Sequence, residues 1–178
     1  MKPQPRVDLK MEAIEAILTR RSIRKYTGEE INPETERRLL EAAMAAPSAH
    51  NLQPWHFIVV RDRDTLNRIP EYHGYSKMLR EASLGIVVCG DNDVQSTDFW
   101  IHDCSAATEN ILIAANALGL GAVWLGVHPS HDLIEGTKRL FGIPDHVTPL
   151  GIISVGYPAE EKPPSDRFSE EKVHRNMW

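Results

Sequence analysis

Cysteine is scarce in this chain: two residues of 178, Cys89 and Cys104, and they form no CxxC pair. Each sits in an apolar or helical context, which predicts buried free thiols. An excess of positive charge is also missing. The formal net charge is −5, so nothing draws the whole molecule to nucleic acid or an anionic membrane, and any anion site must be built locally. No apolar run reaches membrane-spanning length. The start, MKPQPRVDLK, carries prolines and charges where a secretory leader would carry an apolar run. The expectation is a cytoplasmic protein without membrane or nucleic-acid partners.

Several catalytic signatures are absent too. GIISVG misplaces its serine for a nucleophile elbow. GLGAVWLG contains a GxG, but its third glycine is misplaced for a dinucleotide fingerprint, and Gly119 and Gly121 read as the end of a helix and the start of a strand. Among eight histidines only His128 and His131 are close, and an HxxH holding Pro129 lacks helical spacing and a third ligand. No metal is expected.

What remains is ordinary globular composition, 42% hydrophobic and 25% charged, and a length that fits one domain spanning residues 1–178. Asp8 can cap a first helix whose Ile14, Ile17 and Leu18 share one face. Asn32, Pro33 and Glu34 predict a second helix start, with Leu39, Leu40, Ala43 and Met44 carrying it to Pro47. WHFIVV reads as a strand, with Asp62 to Asp64 as its turn, and Thr65 to Ser83 as helical pieces broken by Pro70 and Gly74. LGIVVCG is a second strand whose unbroken apolar run suits a sheet covered on both faces. The longest helix spans Asp98 to Gly119, and its second half is apolar nearly all round. Such a helix is either central in a core or packed on a second subunit; the small chain favours the interface. GAVWLGV, His131 to Phe141 and VTPLGIISVGY complete a strand, a helix and a fourth strand. The expected fold is a sheet with helices on both faces.

Two stretches could carry chemistry. RRSIR supplies Arg20, Arg21, Ser22 and Arg24 just past a helix. Guanidinium groups with a hydroxyl suit a phosphate, which takes bidentate bonds from arginine; a solvated basic turn complementing the helix dipole would look the same. APSAHNLQPWHFIVV offers Ser48, His50, Asn51 and Gln53, many hydrogen-bonding groups and no formal charge. It is either a plain helix-to-strand connection or a grip on something flat and polar.

RRSIRKY, AAMAAPSAHNLQPWHFIVV, SKMLREASLGIVVCGD, DCSAATENILIAANALGLGAVWLGVHP and LGIISVGYPAEEKPPSDR occur in that order. Together they resemble the nitroreductase family of FMN-dependent oxidoreductases over nearly the whole chain. The resemblance implies an α+β three-layer sandwich, a mixed sheet flanked by helices, in an intertwined homodimer with FMN at the subunit interface. At the matching positions Arg20, Arg21, Ser22 and Arg24 would hold the phosphate, ribityl chain and pyrimidine edge. Pro47, Ser48, Ala49 and Asn51 would line the ring from the other subunit, with Gln53 at the ribityl or ring edge. Leu125 and Gly126 would lie near the reactive N5, Arg167 would complete the phosphate clamp, and Lys77 matches a family lysine across a one-residue gap. His50 departs from the small residue of many relatives and would narrow a substrate pocket or point outward.

The activity so implied is transfer of hydride or electrons from NADH or NADPH to a small acceptor, such as a nitroaromatic or a quinone, by a ping-pong scheme. No acid–base side chain is required, and Arg24 is the expected stabiliser of charge at N1 and its carbonyl, with Lys77 next. A non-catalytic FMN carrier or sensor, or a reductive dehalogenase-like enzyme, are the alternatives on the same fold.

Overall fold

The computed structural model describes residues 11–178; the Asp8 cap lies outside them. Helix α1 (Ala13–Thr19) follows Glu12 and buries only Ala16 within the chain. Helix α2 (Pro33–Met44) starts as its sequence dictates, with the Asn32 side chain accepting the Thr35 N–H at 2.8 Å and Pro33 in the first turn. It ends at Met44, short of Pro47, where the Ala45 N–H closes onto the carbonyls of Glu41 and Ala43. Ala46, the residue before the proline, is thereby released from helical geometry.

Strand β1 (Trp55–Val60) leads directly into α3 (Arg63–Tyr72). The expected turn at Asp62 is instead a helix cap: its carboxylate accepts the Thr65 N–H at 2.8 Å and the Thr65 hydroxyl at 2.6 Å. Pro70 does not break α3. Near the C-terminus it removes a single helical bond at a cost of about 3 kcal/mol, which the full burial of Leu66 and Ile69 outweighs. After Gly74 a 3-10 turn, Lys77–Arg80, leads to strand β2 (Leu84–Asp91), buried along its whole length as its unbroken apolar run requires.

Helix α4 (Phe99–Ala117), strand β3 (Gly121–Gly126), helix α5 (His131–Phe141) and strand β4 (Val147–Gly156) complete the frame. The strands lie in the order β1-β2-β4-β3, and every neighbouring pair is antiparallel. Among the described residues, the parallel component expected of a mixed sheet is one bridge between Ser22 and Ala122, at the β3 edge. Gly121 permits that approach, since a Cβ there would stand 2.6 Å from the Ile23 side chain.

Two cores sandwich the sheet. On one face Leu84, Ile86, Val88, Ile153 and Val155 pack with Leu39 and Ala43 of α2 and with Cys104, Ala107, Ile111 and Ala115 of α4. On the other, Val87, Cys89, Leu125 and Ile152 pack with Leu66 and Ile69 of α3, while Leu133, Ile134 and Leu140 of α5 cover them. Helix α4 is therefore central in the chain's own core, the first of the two places open to an all-round apolar helix. Cys89 and Cys104 are free and buried, as their contexts predict. Among the described residues no helix is long and apolar enough to cross a membrane.

Candidate active site

Helix α1 ends at Thr19 with Arg20 as its cap, and the chain then runs extended beside β3, its Ile23 N–H bonded to the Ala122 carbonyl at 3.0 Å. That turn opens a cleft of about 350 Å³. Arg20, Arg21, Asn116, Glu160 and Lys162 are among its walls. Arg20 is held by Glu109 of α4 through an Nε–Oε1 contact of 3.1 Å. Arg21 has no carboxylate partner among the described residues. It donates to the carbonyls of Pro163 at 2.8 Å, Leu18 at 3.0 Å and Arg20, and its Nη2 is buried with no partner. An uncompensated guanidinium with a spare donor is what an anionic ligand requires.

The strap after β4 closes the cleft. Glu160 accepts the Arg24 N–H at 2.6 Å and meets Lys162 at 3.4 Å, while Lys162 donates to the Ser22 carbonyl. The Arg24 hydrogen bond, assisted by Lys162, holds the Glu160 carboxyl below its ordinary value of 4.5. Arg24 itself is exposed, and its guanidinium lies 3.5 Å from the Ser22 carbonyl. Arg167 is exposed in the tail and does not line the cleft.

The polar loop is a second, separate feature. Ala49–Asn51 form a 3-10 turn, and His50, Asn51 and Gln53 stand at φ 54°, 56° and 52°. Left-handed backbone at a non-glycine residue costs roughly 1–2 kcal/mol, and such strain persists only where surroundings over-determine it. Here the surroundings are visible. The Ser48 hydroxyl accepts the Gln53 N–H at 3.0 Å, and Asp103 of α4 accepts the Ala49 N–H at 2.9 Å. Asp103 is 5% exposed, and its second carboxyl oxygen has no partner. Pro47, Asn51 and Gln53 are exposed, Ser48 and Ala49 partly so, and His50 points to solvent.

Leu125 is buried at the end of β3, and Gly126 is exposed beside it. The Gly126 carbonyl is held at 2.9 Å by Nε2 of His73, a histidine 2% exposed at the end of α3. Lys77 is exposed at the start of the 3-10 turn that follows. The single chain thus brings Arg20 and Arg21 together at one cleft, and leaves the polar loop, Lys77 and the β3 end outside its walls. His128 and His131 do not combine: His128 stacks edge-on against Trp100 at 5.1 Å, while His131 is exposed on α5.

Sequence reasoning missed Asp103, Glu160, Lys162 and His73. A lone acid on the apolar stripe between Trp100 and Cys104 was the available signal for Asp103. The others act through backbone contacts that no spacing announces.

The architecture is an α+β three-layer sandwich whose central helix α4 holds the strained polar loop through Asp103 in its first half and lines the arginine cleft through Leu112 and Asn116 in its second. The sequence profile described as the Nitroreductase family matches residues 17–74 and 70–157. A protein of Methanothermobacter thermautotrophicus described as "Putative NADH dehydrogenase/NAD(P)H nitroreductase" is 50% identical over 170 residues, covering 95% of this chain and 89% of its own. A crystal structure with the same description, from Parabacteroides distasonis, is 42% identical with a TM-score of 0.90, covering 93% of this chain and 98% of its own. The FMN-dependent nitroreductase of Clostridium difficile R20291 is 33% identical with a TM-score of 0.87, covering 93% and 99%. The chain belongs to the nitroreductase family.

Proposed function

We propose that the chain is an FMN-dependent NAD(P)H oxidoreductase that passes hydride or electrons to a small acceptor, a nitroaromatic or a quinone, in ping-pong fashion. The observation that carries this reading is the cleft at the foot of α1, where Arg21 keeps a guanidinium nitrogen without a partner. The donor set fits FMN: cations for a phosphate, and a neutral polar loop for a heterocycle.

Arg20, Arg21 and Ser22 would hold the phosphate and ribityl chain, and Arg167, outside the cleft walls in the single chain, would complete the clamp once FMN is bound. Arg24 would lie at the pyrimidine edge, and Lys77 is the second cation for that place. Leu125 and Gly126 would border the reactive centre, where His73 fixes the Gly126 carbonyl. When bound, FMN supplies hydride chemistry from one face, serving donor and acceptor in turn. The protein's task is then to bind, to orient and to set local charge, with protons taken from water.

The functional unit is proposed to be a homodimer in which Pro47, Ser48, Ala49, Asn51 and Gln53 come from a second copy. Two features support it. The α1 face of Ile14, Ile17 and Leu18 is exposed in the single chain at 67%, 49% and 60%. Phe168, Met177 and Trp178 of the tail are exposed as well. Isolated exposed apolar residues are normal, but a whole helical face argues for a covering partner. Two buried free thiols suit a cytoplasmic setting.

Anaerobic addition of NADH or NADPH to the yellow protein tests the proposal. Rapid bleaching, reversed by a nitroaromatic or quinone, is the expected result. A protein that takes up no FMN would end it, and one that holds FMN without bleaching would make the chain a flavin carrier instead.

A further inference from the structure

At the sheet end formed by the close of β2 and the start of β4, the strand end, the turn after it and the segment entering β4 set polar side chains side by side. Asp91 ends β2, Asp93 follows in its turn, and His146 precedes Val147, which pairs with Asp91. The Asn92 N–H bonds to the His146 carbonyl at 2.8 Å, fixing the two segments to each other. One ligand-capable atom of each of Asp91, Asp93 and His146 lies within 4.8 Å of the others. The geometry points to a divalent transition-metal site, of the zinc class, built from Asp91, Asp93 and His146.

Ligand chemistry favours that class. Two carboxylates with an imidazole nitrogen form a mixed N/O set, which suits zinc and its neighbours, whereas magnesium and calcium take oxygen alone. Metal–ligand distances of about 2.0–2.2 Å require the three atoms to close by roughly an ångström. Asp93 and His146 are exposed and free to make that movement. Asp91 needs no search: one of its oxygens accepts the N–H groups of Asp93 at 2.9 Å and Val94 at 3.2 Å. Its other oxygen lies 3.5 Å from Nε2 of His56 on β1. A carboxylate so held is a pre-oriented ligand, and His56 stands where a supporting group outside the metal's own ligands belongs.

Three protein ligands leave a coordination position open. Beside them lies a second cleft of about 380 Å³ that His56, Asp91 and His146 line at its polar end. Phe57, Ile58, Phe141 and Ile143 line the remainder. Asp91 and His146 border this cleft while Asp93 lies outside its walls, and water from the cleft would complete the shell. No motif announces the site, because its ligands come from segments more than fifty residues apart in sequence. It is separate from the arginine cleft, so its test is independent of the flavin.

Calorimetric titration of the untagged, chelator-treated full-length protein with zinc chloride decides the matter. One ion per chain is expected, with a raised melting temperature on binding. His146→Ala and Asp93→Asn should each weaken binding about tenfold or more. His131→Ala, an exposed histidine elsewhere, should leave it unchanged. Both test residues are exposed, and unaltered melting of the metal-free variants confirms that the fold survives. Absence of zinc binding, binding undiminished in both variants, or calcium binding as tight as zinc would each overturn the assignment.

Discussion

The Oδ1 atom of Asp103, buried in α4, accepts the backbone N–H of Ala49 at 2.9 Å, tying the strained loop to the helix at the centre of the core. A loop with three left-handed non-glycine residues would relax without such a tether. Asp103→Ala should therefore speed hydrogen exchange at Ala49 and weaken FMN affinity about tenfold, the equivalent of one charge-assisted hydrogen bond. Asp103→Asn keeps a carbonyl acceptor and should recover most of both. Fluorescence titration with FMN, read beside exchange at Ala49, checks the pair.

Arg24 and Arg167 should separate affinity from driving force. A phosphate bears the same charge whether the ring is oxidised or reduced, so a cation there stabilises both states alike. Charge at the ring edge develops only on reduction, and a cation beside it should be worth on the order of a kcal/mol or more in a partly desolvated site. Arg24→Ala is thus expected to weaken FMN binding and lower its potential together; Arg167→Ala should weaken binding alone. Redox titration in excess FMN measures both, and an unchanged potential in Arg24→Ala transfers the role to Lys77.

Glu160 makes the strap sensitive to acid. Its pKa is depressed in the folded chain by the Arg24 N–H and by Lys162. The stability it contributes is therefore complete above the unfolded value and is lost as pH falls through the lower, folded value. Parent protein and Glu160→Gln should differ in melting temperature near neutrality and converge in acid. A constant difference across the range would show that the carboxylate's charge plays no part.

Burial pushes the thiols of Cys89 and Cys104 up to about 12. The thiolate is the reactive form, so neither should react with an aromatic disulfide reagent at mildly alkaline pH. Both should react once denaturant opens the core, and prompt modification of the native protein would contradict the packing around them.

The elements whose causes are local were legible in the sequence. Asn32, Pro33 and Glu34 are capping chemistry, and the β2 run of apolar residues fixes a strand covered on both faces. The whole of α5 reads from its pattern. Pro70 misled because a proline's cost depends on its place in a helix and on what the helix buries. The order β1-β2-β4-β3 was not legible, since pairing of β2 with β4 is settled by packing across more than fifty intervening residues. In the site, Arg20 and Arg21 were visible as a cluster, whereas Asp103 and Glu160 act on backbone N–H groups that every residue possesses. The α1 stripe was visible also, but Ile14, Ile17 and Leu18 stay exposed among the described residues, so its proposed role in a subunit contact is not read from this chain alone.

The strand order also governs when the molecule can assemble during its synthesis. Among the four strands, β3 has β4 as its sole neighbour, and β4 begins only at Val147. Until that residue leaves the ribosome, the antiparallel β1–β2 pair, joined through α3, is the only one of the three strand pairings described that can close. The nascent chain must meanwhile carry β3, the apolar half of α4 and an open edge of β2 without their partner. Long-range pairing of this kind folds slowly and leaves strand edges open to neighbours. Ribosomal pauses or truncations before Val147 should thus be far more damaging, and more dependent on chaperones, than equal losses from the exposed tail.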